Sequence, residues 1–241
     1  MIKHMHLNTK DKEMSISEHL DELRQRILSI FVLFVVLTGV SFLLLKPIIL
    51  LLQKPASGVK FLQLAPGEYF FVSIKVACYC GFLLCLPIAI YQVIMFILPG
   101  LTNNEAKLVV PSLFGSVILF FAGLFFGYTA LAPAALSFFI SYGSELIEPL
   151  WSFEQYFDFI ILLLISTGLS FQVPIIQVFL GIAGVVSSKQ MLSVWRYILV
   201  IATVISAILT PSTDPFTQIL MTIAIVTLYV SGVSVLVLMK K

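Results

Sequence analysis

The stretch Ile27-Leu28-Ser29-Ile30-Phe31-Val32-Leu33-Phe34-Val35-Val36-Leu37-Thr38-Gly39-Val40-Ser41-Phe42-Leu43-Leu44-Leu45 decides the fold class. It holds 19 residues and no charge. As a helix rising about 1.5 Å per residue, it covers most of the roughly 30 Å of a bilayer's hydrocarbon core. Five more apolar segments follow at Val76–Leu98, Leu108–Ala132, Phe159–Val186, Tyr197–Leu209 and Phe216–Met239. The fifth has only 13 residues. It needs a locally thinned bilayer, or shelter from neighbouring protein at its ends. Trp195 and Arg196 before it read as interfacial anchors, and Thr210-Pro211-Ser212-Thr213-Asp214-Pro215 after it as a turn.

Composition agrees with this segment pattern. Of 241 residues, 60% are hydrophobic and 11% charged, against about 25% charged in soluble domains. The mean hydropathy is +1.09. Too little polar surface is left to cover a soluble globule, which excludes a cytosolic enzyme or a nucleic-acid binder. The balance of 14 Lys and Arg against 12 Asp and Glu also argues against a phosphate-binding surface. The expectation is an all-α polytopic membrane protein. A polar tail, residues 1–14, precedes a single six-helix domain, residues 15–241, with spans near 27–45, 76–98, 108–132, 159–186, 197–209 and 216–239. No internal repeat is visible.

The rare residues exclude more chemistry. His4, His6 and His19 all precede the first span. This removes histidine proton relays, zinc sites of the HExxH type and Ser–His proteolysis at membrane depth. Cys78, Cys80 and Cys85 lie on one apolar segment, where disulfide geometry is seldom met, and read as packing residues. There is no Walker A loop, no GxSxG and no cleavable signal peptide pattern. No cofactor or metal is expected.

Six spans put both termini on one side. That side carries ten of the 14 basic residues, so the positive-inside rule places both termini in the cytoplasm or stroma. The two long outer connections, Lys46–Lys75 and Pro133–Asp158, are dense in aromatic and aliphatic residues. They are expected to form a cap at the interface. Pro87, Pro111 and Pro174 fall within or near spans and predict kinks. Kinked helices beside the one short helix, the fifth, predict a concave bundle. Gly123 and Gly127 have the spacing that permits a close helix contact, and they read either as ordinary membrane glycines or as a dimer face.

No Asp, Glu, Lys or Arg lies deep in a span, and Lys75 sits at a segment end. An ion-coupled carrier keeps an ionisable group near the midplane, so this distribution weakens the carrier reading. Gln172 and Gln177 are the most polar intramembrane residues. Each either hydrogen-bonds a neighbouring helix or contacts an inserted ligand.

Two acids stand at the boundary of the basic side. Ser15 to Glu18 and Thr102 to Glu105 each fit a capping box. Glu105 either caps its helix or binds a ligand, and Glu22 either pairs with Arg26 four residues on or does the same. A pair of such carboxylates at a half-desolvated interface would suit guanidinium groups, whose planar forks separate Arg from Lys.

At these residues the sequence resembles the TatC family, the multispanning core of the twin-arginine protein translocase. The resemblance runs from about Ser15 to the end. It rests on Glu18-His19-Leu20-Asp21-Glu22-Leu23-Arg24-Gln25-Arg26, on Phe96 through Pro99-Gly100-Leu101 to Glu105, on Phe171-Gln172-Val173-Pro174, and on Leu209-Thr210-Pro211 with Asp214. Pro66-Gly67-Glu68-Tyr69-Phe70 and Trp151-Ser152-Phe153-Glu154-Gln155-Tyr156-Phe157 are similar to cyanobacterial and plastid members.

The resemblance implies a non-enzymatic receptor for folded proteins bearing twin-arginine signal peptides. It also implies a concave face with short fifth and sixth spans, single-span partners of the TatA and TatB type, self-association and drive by the proton gradient. The location implied is a thylakoid or bacterial inner membrane. The residues it implies for peptide binding are Glu22 and Glu105, with Arg24, Phe96 and Pro99 beside them. Many bacterial members carry Glu where this chain has Gln172, so only hydrogen bonding transfers to that position. The alternatives are a secondary transporter of small solutes and a membrane-embedded enzyme.

Overall fold

The computed structural model describes residues 16–97, 103–142, 150–182, 184–210 and 214–239. Its elements are α1 (Ile16–Leu43), α2 (Leu45–Gln53), β1 (Lys60–Leu62), α3 (Glu68–Ile97), α4 (Asn103–Phe126), α5 (Ala132–Tyr142), β2 (Leu150–Ser152), α6 (Phe153–Ser170), α7 (Val173–Ile182), α8 (Ser188–Ser193), α9 (Trp195–Leu209) and α10 (Pro215–Leu238). Five helical stretches are long and apolar enough to cross a membrane, and α9 is a shorter apolar helix. The six-span, all-α architecture is the expected one.

The helices overrun the apolar windows, because a hydropathy window marks the lipid-embedded part and the helix continues into polar sequence. α1 starts 11 residues before Ile27, and α3 starts eight before Val76. The serine and threonine of the two expected capping boxes, Ser15 and Thr102, lie outside the described residues, as does the tail 1–14. Among the described residues, three side-chain caps are formed elsewhere. Ser152 caps α6 through the Gln155 N–H. Ser187 and Gln190 form a reciprocal box on α8. Asp214 caps α10 through the Thr217 N–H.

The fifth span is short, as expected, at 15 residues. The sixth corrects the expectation: α10 has 24 residues, or about 36 Å of helix. It carries no charged residue, and Asp214 fixes its start after the turn.

The prolines act differently from one another. α3 is helical straight through Pro87. The fourth span breaks at Phe171–Gln172, and α7 resumes with Pro174 as its second residue, where a missing N–H costs nothing. Between α4 and α5 the chain widens into a π turn, Gly127–Leu131. Pro133 follows at once, and the wider turn accommodates a ring that would clash with a regular helical carbonyl.

The end of the bundle opposite Ile16 holds the main core and the expected cap. Ile49, Leu52 and Ala56 of the first long connection are buried against Val72, Leu136, Tyr156 and Phe157. Tyr156 donates its hydroxyl hydrogen to the Leu52 carbonyl, and Tyr128 donates to that of Leu51 at 2.7 Å. β1 and β2 pair in parallel with Phe61 opposite Trp151, joining the two connections directly. Much of the second connection is helix, since the third span continues through α5 to Tyr142.

Small residues set the close helix approaches. A Cβ on Gly123 would lie 2.9 Å from Phe171, and Gly127 faces Thr167. The Gly123–Gly127 pair therefore serves a contact between α4 and the fourth span inside the chain.

Candidate functional site

α1 is exposed along most of its length, and Ser41 is its one buried residue among those described. α3 is its principal neighbour, and the two run antiparallel. Near the far end, a Cβ on Gly81 would come within 2.8 Å of the Thr38 Cα and N, so glycine alone permits this approach. In the middle, the Cys85 thiol lies 3.6 Å from the Ile30 carbonyl. At the near end, His19 stacks on Phe96 with ring centroids 4.1 Å apart and planes 16° from parallel. This zipper of contacts positions the polar first turns of α1 against the last turns of α3.

Within that corner, Arg26 donates to Glu22 Oε1 through both Nε and Nη2, at 3.0 and 2.5 Å. Its Nη1 donates to Gln92 Oε1 at 2.7 Å. Both partners of the ion pair are part-buried, with side-chain exposures of 22% and 23%. Glu22 Oε2 is buried and has no hydrogen-bond partner. The i,i+4 pair anticipated from spacing is thus formed, and it fills half of the carboxylate. Arg24 is exposed, and among the described residues it makes no hydrogen bond or ion pair.

The remaining expected site residues divide. Phe96 joins the corner through His19. Pro99 lies outside the described residues. Glu105 stands in the first turn of α4, and its side chain lies outside the described part. Five residues connect Ile97 to Asn103, a length of chain that reaches about 20 Å at most. The first turn of α4 therefore starts within that distance of the end of α3.

Gln172 sits at the break in the fourth span and is buried. Ser116 of α4 donates to its Oε1 at 2.6 Å, and its Nε2 donates to the Ser116 carbonyl at 3.1 Å. The neighbouring helix satisfies the amide at both ends. Gln177 is also buried. Its Oε1 has no hydrogen-bond partner and sits over Gly232 of α10.

Two polar clusters at the cap were not anticipated. Lys75 of α3 reaches Glu154 at 3.0 Å and Asp158 at 2.8 Å, both on α6. The signal was present: Lys75 is a lone charge at a span end, and the two acids are four residues apart, on one helical face. Glu68 is buried, and its carboxylate accepts from the Leu64, Ala65 and Glu154 N–H groups at 2.6, 3.1 and 2.9 Å. It ties its own turn to the start of α6. Its position directly after Pro66-Gly67 marks it as a turn residue. No sequence pattern places Glu154 beside it. Among the described residues no cluster of His, Cys, Asp and Glu fits a metal ion.

The family model for the Sec-independent protein translocase protein (TatC) matches residues 18–223. The chain belongs to the TatC family. It is 58% identical over 240 residues to a tatC-like protein of Pyropia yezoensis, covering 100% of this chain and 94% of that one. It is 55% identical to the Sec-independent protein translocase protein TatC of Synechocystis, covering 96% and 91%. A crystal structure of the twin-arginine translocase receptor TatC superposes with a TM-score of 0.78 at 33% identity, covering 93% of this chain and 100% of that one. A second crystal structure of that receptor gives 0.80 at 34% identity, covering 91% and 99%. The expected resemblance is therefore established over the whole six-span core, and this chain is a multi-pass membrane protein of a translocase family.

Proposed function

We propose that this chain is the receptor core of a twin-arginine translocase, binding the paired arginines of signal peptides on folded cargo. Family membership supplies the class of activity. The observation that carries the site assignment is Glu22: a part-buried carboxylate at a helix corner, with one oxygen unpaired. A guanidinium matches that vacancy in shape and charge. Glu105, at the start of α4, is the second acid of this reading, and Phe96 and Pro99 are its further peptide contacts. Arg24 sets orientation and solvation rather than meeting the cationic peptide.

Both termini then face the cytoplasm or stroma, where ten of the 14 basic residues lie. Single-span TatA- and TatB-type subunits and further copies of the chain complete the translocase. The proton gradient drives it, with no cofactor and no enzymatic step in this subunit. The membrane is the thylakoid or a cyanobacterial plasma membrane. A small-solute carrier finds no support, since the family is a translocase family and the intramembrane amide of Gln172 is already satisfied.

The test is binding of a twin-arginine peptide to Glu22→Gln and Glu105→Gln variants. Each should weaken binding by about tenfold or more, the scale of one charge-assisted hydrogen bond. Unchanged binding in both would overturn the assignment.

A further inference from the structure

The pairing at Glu22 is lopsided. Arg26 places two N–H donors on the single oxygen Oε1 and leaves Oε2 buried and unpaired. A carboxylate and a guanidinium ordinarily meet fork to fork, one donor on each oxygen. Here a third contact holds the guanidinium off that geometry. Its Nη1 is anchored on Gln92, by Oε1 at 2.7 Å and by the backbone carbonyl at 3.5 Å. The stacked His19 and Phe96 rings hold the same two helix ends together.

Resting on the receptor reading above, we propose that Arg26, seated on Gln92, is a positioning residue that neutralises Glu22 and reserves Oε2 for one planar donor. The site then selects Arg over Lys by hydrogen-bond geometry instead of by net charge. With Arg26 in place, Glu22 presents little net charge to attract a cation from a distance. A lysine ammonium, a compact and strongly hydrated point charge, gains little from such a site. A guanidinium delivers one in-plane N–H to Oε2 and keeps its other donors for neighbouring groups. Gln92 is the second seat that keeps Arg26 from swinging onto Oε2 and closing the vacancy.

The experiment uses the full chain in nanodiscs of neutral lipid. Fluorescent twin-arginine and twin-lysine peptides are titrated at two salt concentrations. Arg26→Gln should keep arginine-peptide binding within about threefold while the arginine-to-lysine affinity ratio falls about tenfold, the scale of one charge-assisted hydrogen bond. Its salt dependence should steepen, because Glu22 regains a full charge. Gln92→Leu should move both readouts the same way by less, and Arg26→Lys should restore the shallow salt dependence. If Arg26→Gln and Gln92→Leu leave ratio and salt dependence unchanged while Glu22→Gln abolishes binding, the proposal fails and the receptor reading survives. Unchanged binding in Glu22→Gln overturns both. Loss of both peptides by Arg26→Gln at an unchanged melting temperature also overturns the proposal, since Arg26 would then supply affinity itself.

Discussion

Gly81→Ala tests whether the recognition corner depends on the α1–α3 seam. The added methyl would stand 2.8 Å from the Thr38 Cα and N, both backbone atoms that cannot rotate away. Carbon atoms settle at about 3.5–4.0 Å, so the helices must part by roughly 1 Å. Overpacking of this kind costs about 1–3 kcal/mol. The same parting, carried along two stiff helices, would stretch the 2.7 Å Arg26–Gln92 bond beyond hydrogen-bonding range. Twin-arginine peptide binding should then stay within about threefold while the arginine-to-lysine affinity ratio falls by up to about tenfold, with stability lower by the overpacking cost. The control is Gly39→Ala on the facing helix, α1, where a Cβ meets no atom within 4 Å. It should bind as wild type and gain up to about 1 kcal/mol from helix propensity. Detergent-based thermal melts and peptide anisotropy read both variants. An unchanged arginine-to-lysine ratio in Gly81→Ala, or equal effects from the two alanines, would refute the coupling.

Three further outcomes follow from the polar contacts. Ser116→Ala removes the donor to Gln172 and should cost about 1–3 kcal/mol, while Ser116→Ala with Gln172→Leu should recover part of it, as measured by chemical denaturation. Peptide binding should not change in either. Lys75→Met should cost about 1 kcal/mol or less, because Glu154 and Asp158 are half exposed, and a double-mutant cycle with Asp158→Asn should give a coupling of the same size. Glu68→Gln should lower the melting temperature more than Glu154→Gln does, since it turns an amide donor toward backbone N–H groups; equal melts would rule out its role as the tie between turn and α6.

The spans were legible because an uncharged run of 19 residues has few other folds. Their ends were not, since α1 and α3 continue as helix into sequence whose polarity hides it. The bounds of the sixth segment, 216–239, are legible and match α10 to within a residue; the description of it as short fails, since only α9 is short. At the candidate site, spacing alone yielded the Glu22–Arg26 pair. Gln92 was invisible, being 66 residues from Arg26 and meeting it only through the α1–α3 seam. The Glu68 ties across 86 residues escaped on the same ground. Local pattern carries capping and i,i+4 pairs, and it carries no information about which helix ends meet.

The three-residue pairing of Lys60–Leu62 with Leu150–Ser152 has a consequence for biogenesis. Parallel partners supplied by connections so distant in sequence cannot join until the later one has been synthesised and delivered to the same side of the bilayer. Through the insertion of two intervening spans, the edge of Lys60–Leu62 and the Phe61 ring wait without Trp151 and Tyr156. A nascent chain halted before Leu150 would therefore expose an adhesive strand edge, making this interval the one at which a chaperone or quality-control protease would find the protein most vulnerable.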